Sequence, residues 1–500
     1  MHRPLLCRTG RIPLRQEDSR PGDASRRGRG RGVALRRITL AAGQALTQAD
    51  LNRSGALPRE VMESAAAIVD DVRERGDAAV REYCQRFDGA CPSDFRVPQE
   101  LVDAAPGMVD AEFLSSLRRA YRQIREFHER QRENSWFETR PDGTILGVKV
   151  TPLDSVAIYV PGGRAQYPST VLMDAIPAKV AGVRRVVMVT PPQHDGTLSA
   201  YTLAAASVAG VDEVYAVGGA QAIGAVAYGT ESIPRVDKVV GPGNAYVAAA
   251  KRHVSGDVGI DMIAGPSEVC VLADASADPV VVAADLMAQA EHDPMASCYL
   301  VTCDASLPDR VLDAVERLVS QSPREKITRA SLDDRGVVVV AATLADAVEA
   351  VNVVAPEHLE LHCEDAMSLL GSVRNAGAIF VGAWSSEPLG DYVAGPDHTL
   401  PTGGTARFSN PLGVYDFQKH SSVISYTPQG LLADAPAVQA MAQAEGLWAH
   451  ALSAGLRVKL AEQGEKDFAN AAAACEDATH TAWPRALDTP GVPKLPGYEG

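Results

Sequence analysis

The sequence predicts an α/β protein with two incomplete, Rossmann-like parallel-sheet domains and extra helical segments at its N- and C-terminal ends. Short β-branched runs recur through the middle of the chain. Ala-rich stretches of helical character separate them at a spacing of 25 to 31 residues, the period of strand–helix units feeding a parallel sheet. Gly-rich turns follow several of these runs, where a strand must reverse into a helix.

In chain order, residues 1–37 carry eleven Arg against three acids, interspersed with Gly and Pro, and are expected to be disordered. An upstream start codon would explain them, with Val33 as a candidate true start. Residues 45–135 read as helical. The predicted strands are VAIYV (156–160), RVVMVT (185–190), EVYAVGG (213–219), KVVGPG (238–243), EVCVLAD (268–274) and YLVT (299–302). GVVVVAA (336–342) and AIFVG (378–382) form a further pair, and between them an amphipathic helix over Thr343 to Val353 should stop at Pro356. Residues 436–473 read as helical again. The expected plan is a basic extension 1–37, a helical segment 38–150 joined to the first α/β domain, that α/β domain at 151–275, a second α/β domain 276–425, a helical segment 426–475 and a tail 476–500.

Composition narrows the function classes. A net charge of -15 argues against nucleic acid as the main partner, because phosphate binding needs a basic surface. No run approaches the ~18 to 20 apolar residues of a membrane span, and no signal-peptide hydrophobic region follows Met1, so a cytoplasmic enzyme is expected. The 8 cysteines are scattered without a CxxC pair, which suggests neither a disulfide framework nor a thiolate zinc site.

Four polar constellations stand out. NVVAPEHLEL places Glu357 and His358 together after Pro356; alone the pair reads as a solvated turn, but it falls at a junction between elements. DLMAQAEHD puts Gln289 and His292 three apart on one helical face. PLGDYVAGPDHTLPTGGTARF holds Asp391, Asp397 and His398 in a segment too long for a simple turn. AEGLWAHAL adds Glu445 and His450, about 140° apart on an ideal helix unless it bends near Gly446.

Taken together and in order, IYVPGGRAQYPSTVLM, GGAQAIGAVAYGTE, VVGPGNAYVAAAK, AGPSEV, AQAEHD, APEHLEL, GDYVAGPDHTLPTGGTARFSNPLGVYDF and AEGLWAH resemble the histidinol dehydrogenase family over roughly residues 45 to 460. The resemblance implies oxidation of L-histidinol to L-histidine through L-histidinal with two NAD. It implies one Zn2+ per subunit held by Gln289, His292, Asp391 and His450, in a homodimer with His450 supplied across the interface. Glu357 and His358 match the catalytic pair. Ser267 and Glu445, together with Gln289, His292, His358, Asp391 and His450, match the substrate contacts, and Tyr159, Gln221 and Asn244 match the NAD contacts. His398 would lie near the site, where many relatives carry Asn in place of Asp397; that carboxylate is expected to alter the His398 imidazole. The nearest rival is a paralogue acting on another polar alcohol such as a sulfonated diol, and Glu445 speaks against it because an anionic substrate would want Arg or Lys.

Overall fold

The computed structural model describes residues 33–51, 53, 57–162 and 166–463. Its strands are β1 (Arg36–Thr39), β2 (Trp136–Thr139), β3 (Ile145–Pro152), β4 (Ser155–Tyr159), β5 (Arg185–Thr190), β6 (Glu213–Ala216) and β7 (Lys238–Val240). They continue as β8 (Gly259–Ile260), β9 (Glu268–Ala273), β10 (Ser297–Thr302), β11 (Val337–Val340), β12 (His358–His362), β13 (Ala378–Val381) and β14 (Gln418–Ser425).

Two parallel sheets carry the molecule. One runs β6-β5-β4-β7-β8 and the other β1-β11-β10-β9-β12-β13. The first sheet from β4, and the second from β9 onward, start in the middle, grow to one side and then jump back, so the strand order reverses at β4/β7 and at β9/β12, while β1 closes the β11 edge of the second sheet. The strands are nearly continuous apolar runs, as sheets covered on both faces require: every residue of β9, β10 and β11 is buried. The covering helices are equally apolar; Pro168–Ala181 buries all but a few of its side chains and ends at Gly182 in the left-handed conformation.

Four expectations are corrected. The last residues of the segment read as disordered are folded: Val33 is buried, and β1 pairs with β11. Val33, Leu35, Ile38 and Leu40 supply apolar contacts that the surrounding arginines conceal, while Arg37 reaches the Ala305 carbonyl at 2.7 Å. The remainder of the basic extension and the tail 476–500 lie outside the described residues. Secondly, β9 belongs to the second sheet, so a division at 275 falls one strand too late; strand spacing is the same in both sheets and carries no sheet membership. Thirdly, segment 38–150 is not helical throughout. It ends in a β2–β3 hairpin that takes β14 as its other neighbour in an antiparallel sheet, withdrawing residues 418–425 from the second domain. Fourthly, the C-terminal helix breaks: Pro428–Ala444 ends at Glu445 and Gly446 (φ 72°), and a second helix, Trp448–Gln463, packs back on it.

Candidate active site

The helix Leu344–Val354 is capped by the Thr343 hydroxyl and buries Ala347, Val348, Ala350 and Val351. It stops at Ala355, whose φ of 44° makes it the one non-glycine with positive φ among the described residues. Pro356 then turns the chain into β12, between β9 and β13. Alternation sends Leu359 and Leu361 into the apolar layer and leaves His358, Glu360 and His362 on the other face.

Glu357 and His358 thus arrive at the amino end of β12, beside the amino end of β9, and Glu268 holds both. The Glu268 N–H donates to Glu357 Oε2 at 2.8 Å, and its carbonyl lies 3.1 Å from His358 Nδ1. Gln289 Oε1 is also 3.1 Å from Nδ1. Two acceptors on Nδ1 place the ring proton there and leave Nε2, which has no hydrogen-bond partner, with its lone pair free. Burial pushes His358 down to about 4, so the imidazole is neutral at physiological pH. Burial drives the Glu357 carboxyl the opposite way, well above the usual carboxylate range, against the Glu268 N–H.

The short helix Glu387–Tyr392 brings two more carboxylates. Ligand atoms of His292, Glu387 and Asp391 all lie within 4.8 Å of one another. Glu387 is 2% exposed, its Oε2 has no partner, and burial followed by the Asp391 and Glu357 carboxylates pushes its carboxyl well up. Burial raises Asp391 to about 7, and its Oδ1 lies 3.8 Å from His358 Nε2. Buried acids that repel one another are stabilised by a cation, and one imidazole with two carboxylates is a competent donor set for a divalent ion.

Of the four ligands expected from the resemblance, the fold brings His292 and Asp391 together. Gln289 is buried alongside but turns its Oε1 to His358, while His450 and Glu445 are exposed on the terminal helical hairpin. Glu387 was missed. Its signal was the i, i+4 spacing to Asp391 in EPLGDY. Glu268 was missed too; it is buried and salt-bridged to Arg53 at 2.9 Å. Ser267 is half-buried just before β9, and its carbonyl accepts from the Ser297 N–H at 3.0 Å. His398 is half-buried and pushed down to about 4 by burial, with His292 adding to it. The expected influence of Asp397 is corrected: its carboxylate accepts from the Thr399 N–H at 2.7 Å and faces His128 at 3.9 Å.

In the other sheet the strand order reverses between β4 and β7, and dinucleotides bind beyond the carboxyl ends of the strands at such points in doubly wound sheets. Tyr159 closes β4, and its hydroxyl accepts from the Gly219 N–H at 3.0 Å. Gly241 follows β7 with φ 106°, and a Cβ there would sit 2.4 Å from the Tyr159 carbonyl oxygen. Asn244 caps the helix Ala245–Val254 through Oδ1, accepting from Tyr246 and Val247. Gln221, in the first turn of Gly219–Tyr228, is buried with both amide atoms unpartnered, which suits a site completed by a ligand.

Comparison with known proteins identifies the family. The histidinol dehydrogenase family model matches residues 51–458. The histidinol dehydrogenase of Halalkalibacterium halodurans is 53% identical over 393 residues, covering 79% of this chain and 93% of its own. That of Pseudomonas aeruginosa is 53% identical over 394 residues, covering 78% and 89%. The crystal structure of histidinol dehydrogenase from Elizabethkingia anophelis superposes with a TM-score of 0.80 at 34% identity, covering 85% of this chain and 98% of that one. With half the sequence shared across nearly the full length of these relatives, this chain belongs to the histidinol dehydrogenase family.

Proposed function

We propose that this chain oxidises L-histidinol to L-histidine through L-histidinal with two NAD and water, releasing two NADH and three protons. The observation that carries this reading is the His358 imidazole, neutral and with Nε2 free, beside a protonatable Glu357 and the His292–Glu387–Asp391 group.

His358 Nε2 takes the hydroxyl proton as the alcohol is oxidised. Glu357 takes a proton from the water that hydrates the aldehyde, and His358 then takes one from the hydrate. Keeping both at one junction lets the aldehyde stay bound between the two oxidations. NAD, bound at the β4/β7 reversal near Tyr159, Gln221 and Asn244, would accept each hydride. Zn2+ held by His292, Asp391 and Glu387, with Gln289 and the partner subunit's His450 completing the shell, would anchor the substrate as a Lewis acid. Converging carboxylates favour a cationic amino alcohol over a sulfonated one, with Ser267 and the partner subunit's Glu445 adding contacts.

A homodimer is supported by the terminal hairpin, which exposes Val438, Met441, Leu447 and Trp448 alongside Glu445 and His450. No helix among the described residues is long and apolar enough to cross a membrane. NADH yield per histidinol consumed tests the reading. Two NADH are expected, lost with a chelator and restored by zinc; one NADH, or indifference to the chelator, would contradict it.

A further inference from the structure

The chemistry above uses only the first of the three polar side chains that β12 turns away from its apolar layer. The other two, Glu360 and His362, face Asp285 on the helix Pro279–Ala290, one turn before Gln289. All three are buried: Asp285 is 7% exposed, Glu360 0% and His362 4%. His362 Nε2 lies 3.3 Å from Asp285 Oδ2 and 3.5 Å from Glu360 Oε2. A charge-assisted hydrogen bond would close to about 2.7–2.9 Å. None of these three atoms has a hydrogen-bond partner.

We propose that Asp285, Glu360 and His362 form a second divalent-cation site, separate from the His292–Glu387–Asp391 group. The three ligand atoms lie within 4.8 Å of one another. Bonds of about 2.1 Å to nitrogen and oxygen in a tetrahedral shell set ligand atoms about 3.4 Å apart, which is the separation found on both sides of His362. One imidazole and two carboxylates neutralise a divalent charge and suit zinc, manganese, cobalt or ferrous iron rather than a thiophilic ion. The Glu360 carboxylate is oriented through its other oxygen, which accepts from the Glu387 N–H at 2.8 Å, as outer-shell partners orient ligands. An ion here would tie β12 to the helix Pro279–Ala290, and so fix His358 relative to Gln289.

Metal content of the full-length enzyme, saturated with zinc and then gel-filtered, decides the matter. Two ions per chain are expected for the wild type, and one each for His362→Leu and for His292→Ala, with Glu360→Gln and Asp285→Asn reducing second-site affinity at least ~10-fold. A single ion lost with His362→Leu but kept by His292→Ala upholds this site and sinks the other metal group. A single ion lost only with His292→Ala overturns the proposal, and three carboxylate and imidazole groups then share protons instead. Should His362→Leu fail to fold by circular dichroism, Glu360→Gln, which keeps shape and one acceptor, gives the test as a second-site affinity lowered at least ~10-fold in chelator competition, and an unchanged affinity overturns the proposal.

Discussion

His358 is fitted to the proposed role of base, since burial keeps it neutral and two acceptors on Nδ1 leave the lone pair of Nε2 free. Glu357, its neighbour, is held in the opposite state. Since the folded protein holds the Glu357 proton more tightly than the unfolded chain does, stability falls as pH rises above 4.5 towards the raised value. Glu357→Gln is therefore expected to gain stability relative to wild type at alkaline pH and not below 4.5, read by urea denaturation across pH. The same substitution is expected to slow aldehyde oxidation about 100-fold while sparing the alcohol step, so that NADH per histidinol drops from two towards one. It should also abolish the acid limb of the aldehyde step, because the working form is the carboxylate. Glu387→Gln is expected to weaken metal retention about 10- to 100-fold in competition with a chelator; unchanged retention would remove Glu387 from the donor set. Adjacency after a proline read alone as a solvated turn; the junction between elements and the resemblance singled out Glu357 and His358, and the fold buries both at the start of β12. Glu268 was not legible because it acts through its backbone, and Glu387 carried only its i, i+4 spacing to Asp391, a common pairing until a six-residue helix aims both.

At the scale of elements, the site depends on how tightly β12 and β13 approach. Gly377 donates to the Pro356 carbonyl, and a Cβ on it would lie 2.5 Å from the Glu357 carbonyl oxygen. Gly377→Ala must push the Glu357–His358 peptide aside, and displacements near 1 Å lower rates about 100-fold. The expected result is a loss of kcat larger than any change in NAD affinity, checked by steady-state kinetics and nucleotide titration. Parallel strands announced themselves through Val-rich runs, and β5 was read to the residue. The β2–β3–β14 sheet did not: β2 is exposed throughout and β14 nearly so, so neither shows the buried pattern that strand reading depends on. The turn Asp142–Gly143 (φ 82°) was the hairpin signal available.

For the whole molecule, Glu445 and His450 stand exposed on the hairpin, which supports the proposal that a second subunit completes the site. His450→Ala and Glu357→Ala should each be inactive alone, yet mixed and allowed to exchange subunits they should recover about a quarter of wild-type activity, since half of random dimers carry one intact site. No recovery in proven mixed dimers would show that His450 serves its own subunit. Which chain supplies a residue is invisible to sequence, as was the assignment of β9 to one sheet or the other; both depend on contacts between segments far apart along the chain.

The alternation along β12 has one more consequence. His358, Glu360 and His362 share a face by alternation, and that face meets the site only because the strand keeps its register with β9 and β13, so a one-residue slip of β12 would present Leu359 and Leu361 to the substrate and sink the imidazoles in grease. This strand can be inherited or transplanted only as an indivisible cassette, and length variation there is the change that selection should tolerate least.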